Sequence, residues 1–248
     1  MSEYNIEDIK LGNHNIVKAY KGDDLIFDRN AEYFIQPIGG VNDAAHIPVL
    51  SDETSKQLTY GDVFIFDFIP TQTRGGNSTA CFIGGSCLND HGYYAYPRYW
   101  GIHVGYKYYS NTDVITLAIS AYRDNGQYSN YQNKTCVLNE RQTMSFSMQN
   151  PHEGSALRDQ EPRTIGGFFL FGYREFDTGD PLNGDDFVSS LTDARGGKFY
   201  RIAIKDSSDN LKYDFKPKIQ NGHLGMIDLV TDTFYPCNDD TKFRISQR

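Results

Sequence analysis

The stretch Gly197-Lys198-Phe199-Tyr200-Arg201-Ile202-Ala203-Ile204-Lys205-Asp206, continued by Leu211-Lys212-Tyr213-Asp214-Phe215-Lys216-Pro217 and by Asn221-Gly222-His223-Leu224-Gly225-Met226-Ile227-Asp228-Leu229-Val230-Thr231-Asp232-Thr233-Phe234-Tyr235, decides the fold. Tyr200, Ile202 and Ile204 recur at every second position, as do Leu211, Tyr213 and Phe215. Such alternation marks strands with one buried face. Asp206-Ser207-Ser208-Asp209 separates the first run from the second, and Pro217 and Asn221-Gly222 lead into a third. An Asn-Gly pair between alternating runs signals a hairpin, because both central residues of a type I′ turn take positive φ. Thr231-Asp232 then turns the chain into Phe234-Tyr235. The stretch reads as an antiparallel meander.

Working outward, Gly61 to Pro70 places Val63, Ile65 and Ile69 on one face and Phe64, Phe66 and Phe68 on the other. Apolar residues on both sides predict a central strand covered on both faces, or one that meets a partner subunit. Asp67 interrupts that pattern, and a carboxylate there needs a hydrogen-bond partner, which makes its expected role structural. Further strands are expected at Glu32 to Ile38, Ala80 to Ile83, Trp100 to Tyr108, Asp113 to Tyr122 with its turn at Asn125-Gly126, Thr135 to Leu138, and Gly167 to Tyr173. Thr143 to Met148 should be one-sided, with Met144, Phe146 and Met148 inward. The chain has 248 residues, 14% of them aromatic, with 23 glycines, a balance that favours strands and turns over helices. That length suits one β domain of about 200–250 residues with a small appendage.

The phrases at 197–206, 211–217 and 221–235 resemble the closing strands of the laminin-G-like, concanavalin-like jelly roll. That jelly roll is found in virion proteins of gut bacteriophages and in surface proteins of their Bacteroidetes hosts. The resemblance implies an all-β, antiparallel β-sandwich over residues 31–248. Gly167 to Tyr173 is similar to the strand that precedes the closing meander in that family. Residues 1–30 form a separate short segment, in which Leu11-Gly12-Asn13-His14-Asn15-Ile16 is echoed by Lys21-Gly22-Asp23-Asp24-Leu25-Ile26. Each half reads as a tight turn between short strands. Leu11 through Ile26 also resembles a segment near the start of many gut-phage structural proteins. By that likeness Leu11, Ile16, Tyr20, Leu25 and Ile26 would serve attachment or oligomerisation. The alternative is a hairpin packed on its own sandwich.

Charge and composition narrow the function. The formal net charge is −8 with scattered acidic residues, which argues against a nucleic-acid partner. Met1-Ser2-Glu3-Tyr4-Asn5-Ile6 carries no secretory pattern and no run is long and apolar enough to span a bilayer, so the expectation is a chain made in a host cytoplasm, released by lysis, and independent of membranes. Cys81, Cys87, Cys136 and Cys237 read as buried free thiols, although a Cys81–Cys87 bridge is geometrically conceivable.

Candidate sites are few. Tyr93, Tyr94, Tyr96 and Tyr99 surround Pro97 in an expected loop, next to the lone Trp100. Such aromatics stack on sugar faces while their polar tips reach hydroxyls, and they serve equally in fold packing or a protein interface. The oxygen-rich connection from Asp177 to Asp186 could hold Ca2+, but its spacing departs from the twelve-residue calcium loop. Without metal it is an acidic loop in which Asp186 could cap a short helix over Phe187 to Leu191. A glycoside hydrolase needs two carboxylates about 5–10 Å apart. Glu140, Glu153, Glu161 and Glu175 fall in expected turns or loops, and His91, His103 and His152 are isolated, so no catalytic residue and no cofactor is assigned.

Two functions follow as expectations. The first is a non-enzymatic virion structural protein, a head or tail fibre or decoration component. It would be a homo-oligomer, a trimer first, contacting other virion proteins and a host-surface glycan. The second is a carbohydrate-binding lectin or adhesin module of a gut bacterium.

Overall fold

In the computed structural model, backbone is described for residues 9–11, 14–16, 18–21, 24–28, 32–38, 46–50, 58–59, 61–71, 81–84, 86–88, 99–106, 114–123, 126–148, 168–171, 174–176, 187–188 and 197–247. Side chains are described in residues 32–38, 46–49, 58–59, 61–71, 82–84, 132–148, 169–171 and 197–246. The strands in chain order are β1 (Ile9–Leu11), β2 (His14–Ile16), β3 (Lys18–Lys21), β4 (Asp24–Asp28), β5 (Tyr33–Pro37), β6 (Ile47–Leu50) and β7 (Val63–Pro70). Next come β8 (Cys81–Gly84), β9 (Ser86–Leu88), β10 (Tyr99–Tyr106), β11 (Val114–Arg123), β12 (Gly126–Thr135) and β13 (Gln142–Ser147). The chain closes with β14 (Phe168–Leu170), β15 (Arg174–Phe176), β16 (Phe187–Val188), β17 (Gly197–Lys205), β18 (Leu211–Gln220), β19 (His223–Asp228), β20 (Thr233–Pro236) and β21 (Phe243–Gln247). Among the described residues the only helical turn is a 3-10 turn at Asp240–Lys242.

These strands build an all-β, antiparallel β-sandwich. One sheet runs β12-β11-β10-β8-β14-β6; the other has eight strands, β13-β7-β17-β18-β19-β20 with β5 joined to β17 and β21 to β5. The inner face of β7 is Phe64, Phe66 and Phe68, all fully buried, while Val63, Ile65, Asp67 and Ile69 are half-buried outside. β7 is thus an interior strand between β13 and β17, but its outer face is only half-buried, so the expected cover on both faces is not found among the described residues. Phe82 of the facing sheet lies between Phe68 at 5.4 Å and Phe199 at 4.9 Å, ring centre to ring centre, so the two sheets meet through aromatic rings. Burying one such ring stabilises by roughly 1.5–3 kcal/mol and each edge-on or offset pair adds roughly 0.5–1.5. Phe171 takes a left-handed backbone, φ 63, and its ring enters the core against Phe199 at 5.0 Å and Phe243 at 5.8 Å. That conformation costs a side-chain-bearing residue about 1–2 kcal/mol, which the burial offsets.

The closing meander forms as read. β17, β18, β19 and β20 pair in succession. Asn221 (φ 53) and Gly222 (φ 82) both adopt positive φ between paired Gln220 and His223, the geometry a type I′ turn requires. Asp228 closes the following turn, accepting from the backbone N–H of Asp214 (2.7 Å) and Val230 (3.1 Å) and from the Thr231 hydroxyl (2.7 Å). A Cβ on Gly225 would run into the Tyr235 carbonyl and the Phe234 ring, so the close β19–β20 approach needs glycine there.

Several expectations are corrected. The strand does not break at Pro217 but continues to Gln220. Pro217 faces Met226 beyond the end of the β17–β18 ladder, where a missing N–H costs no bond. Leu211 is exposed, because a register shift at Ile204/Lys205 takes it off the Tyr213–Phe215 face. Cys136 to Leu138 lies past the end of β12, in the approach to a turn. Phe187–Val188 pairs with β15 as a strand, not a helix, and Glu175 is a strand residue of β15. On β13 the one-sided reading holds, with Met144, Phe146 and Met148 buried.

At the N-terminal end, β1 pairs with β2 and β3 with β4, leaving residues 12–13 and 22–23 between the paired ends. Leu11, Ile16, Tyr20, Leu25 and Ile26 lie on these strands, with side chains outside the described residues.

Candidate functional site

The described structure places a charged depression on the outer face of the eight-stranded sheet. Its origin is a change of partner along β17. On one side β17 follows β7 along its length; on the other it pairs with β5 at Phe199–Ile35 and with β18 from Ile202–Phe215 onward. A bulge falls at this switch, with Phe199 opposite Phe68 and Arg201 opposite Asp67. One extra residue lets two consecutive side chains leave the inner face together. Phe199 and Ile202 therefore point into the core, whereas Tyr200 and Arg201 both line the outer depression. This corrects the period-two expectation that grouped Tyr200 with Ile202 and Ile204.

Arg141 forms the centre of the site. Its turn is pinned to β7 by the Asn139 N–H donating to the Pro70 carbonyl at 2.7 Å, and Gln142 braces it by donating to the Val137 carbonyl at 2.8 Å. The pairing of Thr143 with Asp67 then sets Arg141 beside that carboxylate. Its guanidinium donates to Asp67 through Nε (2.9 Å) and Nη2 (2.7 Å), donates to Glu32 through Nη1 and Nη2, and lies 4.0 Å from the Tyr200 ring centre. Asp67 thus finds the partner its place on an apolar strand demanded. The bonds to Asp67 first, and then to Glu32, hold Arg141 protonated far above its ordinary value.

A second pair lies next to it. Arg201 donates to Asp214 through Nε at 2.5 Å and Nη2 at 3.1 Å. Asp214 is almost fully buried, so this bidentate contact replaces the water its charge has lost. Tyr33, Lys216 and Pro217 complete the lining, around a volume of about 230 Å³. Lys216 is exposed, and its ammonium has no acceptor among the described residues.

Two other buried carboxylates are structural. Asp62, fully buried, accepts from the Thr59 N–H (2.8 Å) and hydroxyl (3.0 Å) and pairs with Lys212 at 2.8 Å. Asp228 closes its turn as described above. Cys136 is buried, and Cys237 is a free thiol that burial pushes well above its ordinary value.

The sequence candidates fall elsewhere. Tyr99 begins β10 and Trp100 follows it opposite Ala121, so Tyr99 is a strand residue and not a loop residue; neither side chain is among those described. Tyr93, Tyr94 and Tyr96, and the Asp177 to Asp186 connection with its proposed Ca2+, lie outside the described residues. Among the described residues no group of three His, Cys, Asp or Glu side chains could hold a metal. No helix there is long and apolar enough to cross a membrane. Sequence reasoning missed Glu32, Tyr33, Arg141, Arg201 and Lys216; the one signal available was the lone carboxylate Asp67. Compared with known proteins, the chain matches no family model, no curated protein and no solved structure.

Proposed function

We propose that this chain is a non-enzymatic virion structural protein of a bacteriophage, a head or tail fibre or decoration component. It displays the sandwich as a jelly roll for adhesion to a host-surface glycan. The observation that carries the reading is the closing meander: the phrases that resemble the family's last strands are successive antiparallel partners β17 to β20. The outer depression supports the non-enzymatic part. A carboxylate pair in a glycosidase divides into a proton donor and a base or nucleophile. Here a single guanidinium binds both Asp67 and Glu32.

In this reading residues 1–30 join the chain to its own copies and to other virion proteins. Fibres are closed symmetric oligomers, so light scattering on the full chain is expected to give three times the 28.2 kDa chain mass. Ile16→Asp with Leu25→Asp is expected to release monomers. A full chain that is monomeric at micromolar concentration would remove the fibre reading in favour of an independent carbohydrate-binding module.

A further inference from the structure

We infer that the depression between Tyr33 and Lys216 binds a carboxylate-bearing sugar ring. The inference deepens the adhesion reading and rests on it. Three cations line the depression, and they differ in what they have left to offer. Arg141 is occupied by Glu32 and Asp67. Arg201 gives Nε and Nη2 to Asp214, which leaves Nη1 without an acceptor among the described residues. The Lys216 ammonium is wholly uncommitted there. Ile202 pairs with Phe215, so Arg201 and Lys216 lie one step further along the same two strands and on the same side of the sheet. A guanidinium edge beside an ammonium suits a carboxylate.

The rest of the lining suits a sugar. Tyr33 is 43% exposed at the rim, offering a ring face to C–H groups, and its phenol has no partner among the described residues. Oxygens of Asp67, which accept only from Arg141 among the described residues, retain lone pairs for ligand hydroxyls. The volume of about 230 Å³ is below the roughly 300–1,000 Å³ of sites for drug-sized ligands, which fits one ring of a longer chain. Charge separates this ligand from a phosphate or sulfate. Glu32 and Asp67 in the lining, with Asp214 paired to Arg201 beside it, balance Arg141, Arg201 and Lys216, so a compact dianion meets as much repulsion as attraction, while a monoanion with hydroxyls uses both signs.

The test is calorimetric titration of the full chain with the trimer of galacturonic acid at low ionic strength, beside the neutral galactose trimer and inorganic sulfate. The acidic trimer is expected to bind at least about tenfold more tightly than the neutral one. Lys216→Ala is expected to weaken it by about tenfold with an unchanged unfolding temperature, because the ammonium holds nothing in the fold. Tyr33→Ala is expected to weaken it several-fold, and salt to screen it. Equal binding by wild type and Lys216→Ala, no binding of the acidic trimer, or equal binding of sulfate would each overturn the inference. A trimeric chain that ignores the acidic sugar loses this site and keeps the display reading; a monomer that binds it through Lys216 does the reverse.

Discussion

The two faces of β7 and β17 obey different rules although the same strands carry both. Inward, Phe64, Phe66, Phe68, Phe199, Ile202 and Ile204 are fully buried and interchangeable in kind. What matters there is apolar area and the fit of rings against Phe82 and Phe171. Outward, Asp67 and Arg201 stand opposite one another on the two strands and each charge has its own partner, Arg141 and Asp214, while Tyr200 lies against the Arg141 guanidinium. The inner face tolerates changes of identity that keep volume; the outer face tolerates changes of volume that keep pairing.

The largest effect that would sharpen this contrast is on the inner face. Phe199→Ala removes a ring packed against Phe68, Phe82 and Phe171 and is expected to cost about 3–5 kcal/mol, read as a lower urea midpoint at unchanged slope. A loss under about 1 kcal/mol would mean that the sheets do not meet through that ring. Next comes Asp228→Ala, which strands the N–H groups of Asp214 and Val230 and is expected to cost about 2–3 kcal/mol by the same assay. If it proves neutral, buried pairing is not what holds the β19–β20 turn.

The outer face should respond less. Arg141→Met keeps an apolar stem over Tyr200 but frees Asp67 and Glu32, and about 1 kcal/mol is expected because the pairing is partly solvated, with the Arg141 side chain 27% exposed. A cost as large as that of Phe199→Ala would erase the distinction between the faces.

The smallest effect is a pH dependence at the β17–β18 turn. Bonds from the Asn210 side chain and backbone, then from the Ser208 N–H, lower the Asp206 pKa below its ordinary 3.8. A carboxyl depressed on folding gives its full contribution above the unfolded value and loses it as pH falls through the lower folded one. Stability should therefore decline below about pH 4. Asn210→Ala is expected to flatten that decline in thermal melts between pH 2 and 5; an identical slope in both proteins would show that Asp206 is not its source.

Much of the architecture is legible in the residues themselves. Alternation at 143–148 assigns inner and outer faces because side chains on a strand point to opposite sides in turn; at 61–70 it separates two apolar faces without saying which is inner. Asn221-Gly222 fixes a hairpin because positive φ at two successive residues is costly for most side chains. Even the need of Asp67 for a partner follows from placing one charge on an apolar strand.

What that partner would be belonged to the tertiary structure alone. Arg141 lies 74 positions from Asp67 and Glu32 a further 35 before it, so nothing local links them. The bulge at Tyr200–Arg201 arises because β17 changes neighbours there, from β5 to β18, and a change of neighbour leaves no mark on period-two spacing. Strand identity is a local property of backbone sterics and side-chain alternation; the outer depression depends on which distant strands share an edge.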